Sequence, residues 1–363
     1  MESIKPLMSL VDTLHMGFYL SKLNLTEEDF KYLDDCKQAS RESGLNGNSL
    51  IEFKGKHWHI TSARKIYAYV LYNDDVTIKI ARKLSGGIYP EVFVEFRSRL
   101  LLGGLRPAYL LIREWIAKWA VINSEKISRA DLATDFQGDL CIDMQEVVMR
   151  CRKNATHHEV YRSGREAVTG YTFGSGNILL RVYDKTLEIE KSRKQYIKAE
   201  WEKQGWDKTS DVWRVEFQLR RGALKEFQIE TFKDLNDISP DMWHYLTKEW
   251  FSLRESSKKD RTRSRWSPTA LWMIVQESFK SFGELTGIVR ERIKKVSLHN
   301  IIPQVAGLVT SFTALMEREK ININELMRSI ERHYRKQGLT IEGVIEEKMH
   351  RYGLFEHSYK GAM

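Results

Sequence analysis

The chain has three cysteines in 363 residues, Cys36, Cys141 and Cys151, and no two of them stand in a CxxC spacing. That excludes a disulfide framework and a thiolate zinc centre, and it places the chain in a reducing, cytoplasmic setting. Six prolines leave no room for a long proline-rich linker. No apolar run approaches the roughly 18 residues that a membrane span needs. Met1 to Leu14 lacks the uninterrupted apolar segment of a signal peptide. There is no internal repeat and no low-complexity tract. The GxxxxGK[ST] phosphate loop is absent as well, and Gly174-Ser-Gly176 reads as a turn into a strand. ATP-driven work would fall to another protein.

What is present describes a folded chain. At 42% hydrophobic, with 29% charged and 11% aromatic residues, the composition supports one large core or two ordinary ones. Lysine and arginine number 58 against 49 acids, a net charge of +9. Such an excess is the electrostatic footprint of a nucleic-acid partner, or else a solvated basic surface.

Thr26-Glu-Glu-Asp-Phe30 has the N-cap hydroxyl and acidic first turn of a helix start, within a first stretch of short helical signals and turns. From Leu50 to Phe96 the pattern changes to short runs rich in Ile, Val, Tyr and Phe. The run Ile66–Tyr72, the turn Asn73-Asp-Asp and the run Val76–Ile80 predict a β-hairpin, and Val92–Phe96 another strand. Helical spacing marks Leu110–Val121, Met144–Asn154 and Lys185–Glu202. Strands are expected at Ser128–Phe136, Gly176–Asp184 and Val212–Arg220. Beyond about Phe227 the strand signals fade, and Asp241–Leu253, Thr269–Phe282, Ile301–Glu317, Ile323–Lys336 and Ile341–Tyr352 all carry helical spacing. The expected fold is α+β: a mostly antiparallel sheet domain flanked by helices over residues 1–255, then a helical region over 256–363. The boundary falls at the basic, serine-rich run Ser256–Arg265.

Three of these strands have a polar face. Side chains alternate along a strand, so Arg129, Asp131, Ala133 and Asp135 share one face, backed by Leu132 and Phe136. Arg181, Tyr183 and Lys185 share another, backed by Leu180 and Val182. Arg214, Glu216, Gln218 and Arg220 share a third, backed by Trp213, Val215, Phe217 and Leu219. Any one of them reads equally as the solvent face of an antiparallel sheet. Joined in one sheet, they gather what phosphodiester chemistry uses. Hard oxygen ligands hold Mg²⁺ or Mn²⁺, a tyrosine can be a covalent nucleophile, and arginine forks bind phosphate oxygens.

At these residues the chain resembles the rolling-circle replication initiators of small Gram-positive plasmids, the Rep_trans family, which also includes relaxases of some conjugative elements. Ser128-Arg-Ala-Asp-Leu-Ala-Thr-Asp-Phe136 is similar to its R-x-D-x-x-x-D-F strand. Tyr171-Thr-Phe-Gly-Ser-Gly followed by Leu180-Arg-Val-Tyr-Asp-Lys185 is similar to F-G…I-R-I-Y-[ND]-K. Val212-Trp-Arg-Val-Glu-Phe-Gln-Leu-Arg-Arg221 is similar to W-R-x-E-[IF]-x-L-[KR]-R. The three occur in the family's order and cover about residues 90 to 225. The resemblance implies a DNA-nicking and strand-transfer enzyme in which Tyr183 attacks one strand at the origin and is left joined to its 5′ phosphate. It implies Asp131, Asp135 and Glu216 as metal-binding acids for Mg²⁺ or Mn²⁺, with Arg181 and Lys185 beside the phosphate. Some members carry a second acid where this chain has Gln218, which leaves the number of acidic ligands open. The implied partners are origin DNA, a separate helicase and a second copy of the chain; no membrane is implied.

Other readings stay open at this stage. Tyr171 is a rival nucleophile. His57-Trp-His59 matches the HUH metal pattern of other nicking enzymes, although Tyr183 lacks the Y-x-x-x-K spacing that usually accompanies it. DNA contacts are expected from Arg129, Arg214 and Arg220, and from Lys258, Lys259, Arg261 and Arg263 in the basic run, whose other reading is a solvated linker. Residues 323–353 read as a helix-turn-helix or as two packing helices. The whole chain could also be a non-catalytic DNA-binding protein of the same fold.

Overall fold

The computed structural model describes residues 4–42, 49–62, 66–149, 158–162, 167–257 and 263–351. The chain opens on β1 (Lys5–Leu23), where the sequence suggested only helical signals and turns. Leu14, Met16 and Phe18 are fully buried along it. Irregularities at Val11/Thr13 and His15/Met16, among others, break the period of two by which a strand is read. Helix α1 (Glu27–Glu42) follows. Its start is the one expected: the Asp29 amide donates to the Thr26 hydroxyl at 3.1 Å, and the Thr26 amide to the Asp29 carboxylate at 2.9 Å.

Strands β2 (Ser49–Phe53), β3 (Lys56–Ser62), β4 (Tyr69–Tyr72), β5 (Val76–Ile80) and β6 (Val92–Phe96) form an antiparallel meander that ends beside β1. Two helices close this half, α2 (Ser98–Leu101) and α3 (Leu105–Ala117). The long strand β7 (Ala120–Gln137) then returns antiparallel to β1. Next comes β8 (Val147–Met149), where a helix over Met144–Asn154 was expected. Its pairing partner lies a hundred residues downstream, which local periodicity does not reveal, and residues 150–157 lie outside the described residues. A second meander runs through β9 (His158–Arg162), β10 (Val168–Phe173) and β11 (Ile178–Asp184). After α4 (Lys185–Ser192) and α5 (Tyr196–Lys203), β12 (Val212–Arg220) completes it beside β7. Helices α6 (Arg221–Glu226) and α7 (Phe232–Tyr245) follow.

The fold is therefore α+β, built on one antiparallel sheet in the order β2-β3-β4-β5-β6-β1-β7-β12-β11-β10-β9. The sheet repeats itself although the sequence shows no repeat by eye. Each half is a long strand and a meander whose last strand lies beside that long strand, followed by a short and a longer helix. The two halves meet at the β1–β7 pair, where Thr13 faces Asp131. Two residues on, Glu95 faces His15 in the first half and Glu216 faces Ala133 in the second. Val94-Glu-Phe96 with Arg99 and Val215-Glu-Phe217 with Arg220 are the surviving common letters, too few to register as a repeat in sequence.

Helical spacing over Asp241–Leu253 also resolves differently. The helix begins earlier, at Phe232, where Thr231 and Asp234 form a capping box, and Phe251–Leu253 is a strand, β13, paired with β8. Beyond it α8 (Ala270–Glu277) packs into the same core: Trp272 and Val275 are fully buried, and the Trp272 indole donates to the Thr247 carbonyl at 2.7 Å. The first compact unit accordingly extends through Ile293, past the expected boundary at residue 255. The hydrophobic residues after the charge run belong to the preceding core. Removing residues 256–363 is expected to strip Trp272 from that core and leave an aggregating protein. Trp272→Ala alone is expected to cost about 3–5 kcal/mol, measured by urea unfolding.

Residues 294–363 separate as a second unit. Helix α9 (Ile288–Leu315) runs into it, beginning well before the expected Ile301, followed by α10 (Ile323–Lys336) and α11 (Ile341–Arg351), close to the spans expected from spacing. Among the described residues, no helix is long and apolar enough to cross a membrane.

Candidate active site

Strands β7, β12 and β11 are neighbours, so the three polar faces become one surface. The register sets Tyr183 opposite Arg214 and Arg181 opposite Glu216. On the other side of β12, Arg214, Gln218 and Arg220 stand opposite Asp135, Asp131 and Arg129. Leu132, Val182, Val215 and Phe217 point the other way and are fully buried. The polar face is not open to solvent as an ordinary sheet face would be. Asp131, Asp135, Arg214, Glu216 and Gln218 are each no more than 4% exposed. Part of the cover is a small core around Ile189, Ile197 and Trp201 of α4 and α5.

Tyr183 is half-buried. Its hydroxyl donates to Glu216 Oε2 at 3.0 Å, and Lys185 Nζ lies 3.5 Å from the same hydroxyl. Lys185 is buried at the start of α4, where Glu188 Oε2 holds it at 2.6 Å. Burial holds the Lys185 ammonium below its ordinary pKa, with the Arg214 charge acting in the same sense. Burial, then the Glu216 carboxylate, pushes the Tyr183 phenol well above its usual 10. The phenol therefore keeps its proton until a base takes it, and Glu216 Oε2 already accepts its hydrogen bond. Across β10, Gly170 faces Tyr183; a Cβ there would stand 2.9 Å from the tyrosine Cβ, so the glycine leaves the tyrosine room.

Glu216 Oε1 accepts from Arg181 Nη1 at 3.1 Å, and Arg181 Nη2 reaches Gln218 Oε1 at 2.9 Å. Asp131 is gripped by the Arg129 fork, with Nε to Oδ1 at 2.8 Å and Nη2 to Oδ2. Burial pushes Asp131 up to about 7, with the Glu216 charge adding to the rise and Arg129 opposing it.

Asp135 and Arg214 differ from expectation. Arg214 Nε and Nη2 bind the two Asp135 oxygens at 2.5 and 2.9 Å, and the Trp201 indole donates to Oδ2 at 2.8 Å. Arg214 also reaches Asp12 at 2.5 Å. Both Asp135 oxygens are thus engaged, and the Arg214 guanidinium is fully buried with its charge matched by two acids. This pair ties β12 to β7 and β1, at the two residues expected to be a metal ligand and a DNA contact. Asp12 escaped the sequence reading because it sits at the Val11/Thr13 irregularity, off the alternation that exposed the other residues. Glu188, Trp201 and Gly170 carried no pattern at all.

The remaining candidates separate by position. Tyr171 pairs with Val182 on the apolar face, is buried, and accepts from the Ile142 amide at 3.3 Å. His57 and His59 lie on β3, seven strand positions from β11, roughly 30 Å at ~4.8 Å per strand. His59 there stacks on Tyr72. Arg220 is exposed at the end of β12. Arg263 donates to the Gln145 carbonyl. Lys258, Lys259 and Arg261 lie outside the described residues.

Among the described residues, no three His, Cys, Asp or Glu side chains group to hold a metal. Asp131 is nevertheless near enough to Glu216 to feel its charge, and Gln218 stands directly opposite Asp131. Two carboxylates and an amide oxygen fit Mg²⁺ or Mn²⁺, which complete their shells with water. A cation would relieve the repulsion that helps raise Asp131, in competition with Arg129 and Arg181. Binding must displace the Asp131 proton, so the thermal stabilisation given by Mn²⁺ is expected to grow from about pH 6 to pH 8, across the value of about 7. Without metal the sign reverses. The folded state holds this proton above the ordinary 3.8, so stability from this group falls as pH rises toward 7. Asp131→Asn should flatten both trends in a thermal-shift series; a Mn²⁺ effect that is independent of pH in the wild type would contradict the assignment.

No protein-family model matches the chain. No curated protein matches it. Among solved structures it is similar to a rolling circle replication initiator protein from Geobacillus stearothermophilus, at 17% identity and a TM-score of 0.43, over 76% of this chain and 97% of that one.

Proposed function

We propose that the chain is a metal-dependent tyrosine DNA endonuclease that nicks and rejoins one strand, and that it starts rolling-circle replication of a plasmid or other mobile element. The observation that carries this is the Tyr183 hydroxyl bonded to a buried carboxylate, beside a buried lysine and the Arg181 guanidinium. Tyr183 Oη attacks phosphorus, and an O–P bond forms as the P–O3′ bond breaks. The phenol proton passes to Glu216 Oε2, and the departing 3′ oxygen takes up a proton from Lys185 or water. Arg181 binds the non-bridging oxygens. Mg²⁺ or Mn²⁺ on Asp131, Glu216 and Gln218 supplies Lewis-acid polarisation of the phosphate when bound. The 5′ end remains on the protein as a phosphotyrosine, and the free 3′ hydroxyl primes synthesis or reverses the step.

A second reading follows from the arginines on Asp131 and Glu216, which suit a fold that binds DNA without cutting it. The two separate on negatively supercoiled DNA carrying the element's origin. The enzyme converts it to open circles with Mn²⁺ and not with EDTA; a binding protein retards it and leaves it supercoiled under both conditions.

A further inference from the structure

The internal repeat of the sheet sets a second site beside the first. Glu95 on β6 takes the place of Glu216, and Lys79 on β5 takes the place of Tyr183. Lys79 Nζ pairs with Glu95 at 2.5 Å, where Tyr183 bonds to Glu216. The first half thus keeps the acid and has a cation in place of the nucleophile: groups for binding without the group that reacts.

A cleft of about 540 Å³ opens at this position, bounded by Thr13, Thr77, Glu95 and Arg97 and by Arg193 and Lys194 after α4. It adjoins the Tyr183 site, because Thr13 stands opposite Asp131 and Asp12, also in its wall, is bonded to Arg214. Its acids are matched: Glu95 by Lys79, Asp74 by Arg99 at 2.6 Å, and Asp12 by Arg214. Two of its cations are not, whereas Arg99 is held by Asp74 and Lys194 lies 3.8 Å from Glu188. Among the described residues no carboxylate pairs with Arg97 or Arg193; Arg97 donates to the Thr77 hydroxyl at 3.0 Å, and both arginines are exposed. Arg193 holds its position at a conformational cost. It ends α4 in the left-handed region at φ 60°, where glycine is the ordinary residue and a larger side chain is strained.

We infer that this cleft binds the backbone phosphates of single-stranded DNA leading to or from the scissile phosphate at Tyr183. The inference rests on the nicking reading for the identity of that strand. The first half of the sheet is then a phosphate cradle built on the plan of the catalytic half.

The test uses the full chain with Tyr183→Phe, in EDTA, so that no covalent step contributes. Anisotropy of a labelled single-stranded oligonucleotide from the origin is titrated over a range of NaCl. Arg97→Gln with Arg193→Gly is expected to weaken binding about tenfold and to lower the slope of log K against log salt by about 1.4, the loss of two phosphate contacts on a single strand. Arg193→Gly alone removes the backbone strain, so it should bind less well while melting no lower than its parent; that combination is not what misfolding gives. Unchanged affinity and salt slope in the double variant would overturn the cleft. A search for DNA covalently held on the wild-type protein, with Mn²⁺ and the same oligonucleotide, reads the other question. Adduct formation with binding unaffected by the double variant defeats the cleft and spares the nicking reading; binding lost without any adduct in the wild type does the reverse.

Discussion

Tyr183→Phe is expected to abolish nicking, by on the order of 10⁴-fold or more, because the reaction loses the atom that bonds to phosphorus. The fold should survive. The substitution removes the hydrogen bond to Glu216, worth about 1 kcal/mol, and the longer one from Lys185, and leaves the ring in place. Affinity for origin DNA should change little, so the loss appears in the chemical step and not in binding. Tyr171→Phe is the control: that hydroxyl is buried in the core against Ile142, on the opposite face of the sheet, and nicking should be unchanged. Nicking that survives Tyr183→Phe would defeat the assignment of the nucleophile.

Arg214→Ala is expected to be the most destabilising change in the site, by about 3–5 kcal/mol, because it leaves Asp135 buried and uncompensated beside Asp12. The cause is the unpaired charge and not the missing side chain. Asp135→Asn in the same chain should therefore recover part of the loss, and Arg214→Lys, which keeps the charge but not the fork, should fall between. Urea unfolding of the four proteins measures it. A double variant no more stable than Arg214→Ala would mean that packing, and not the ion pair, dominates there.

Much of the site was legible because strand alternation is a strong signal. One period of two placed Asp131, Tyr183 and Glu216 on polar faces, and the structure unites those faces. Alternation says which residues share a face; it does not say which charges will answer one another across strands. Arg214 and Asp135 looked like a phosphate contact and a metal ligand, and each became the other's partner because the register set them side by side. The helices beyond residue 300 were legible for the same reason, through a period of 3.6. The central strand β1 was not, since its bulges shift the alternation several times along its length. The repeat of the two halves was hidden for a further reason: a sheet scaffold needs only apolar residues at alternating positions, which many sequences satisfy, so the architecture is common to both halves where the letters are not.

The most direct test is to trap the covalent intermediate. The wild-type protein is incubated with Mn²⁺ and a single-stranded oligonucleotide spanning the origin nick site, digested with trypsin and nuclease, and searched by mass spectrometry for a phosphonucleotidyl peptide. The account expects the modification on the tryptic peptide Val182–Lys185, at Tyr183, with the phosphate that becomes the 5′ end of the downstream fragment and a free 3′ hydroxyl on the upstream product. A modification on any other residue, or cleaved DNA with no adduct at all, would contradict it.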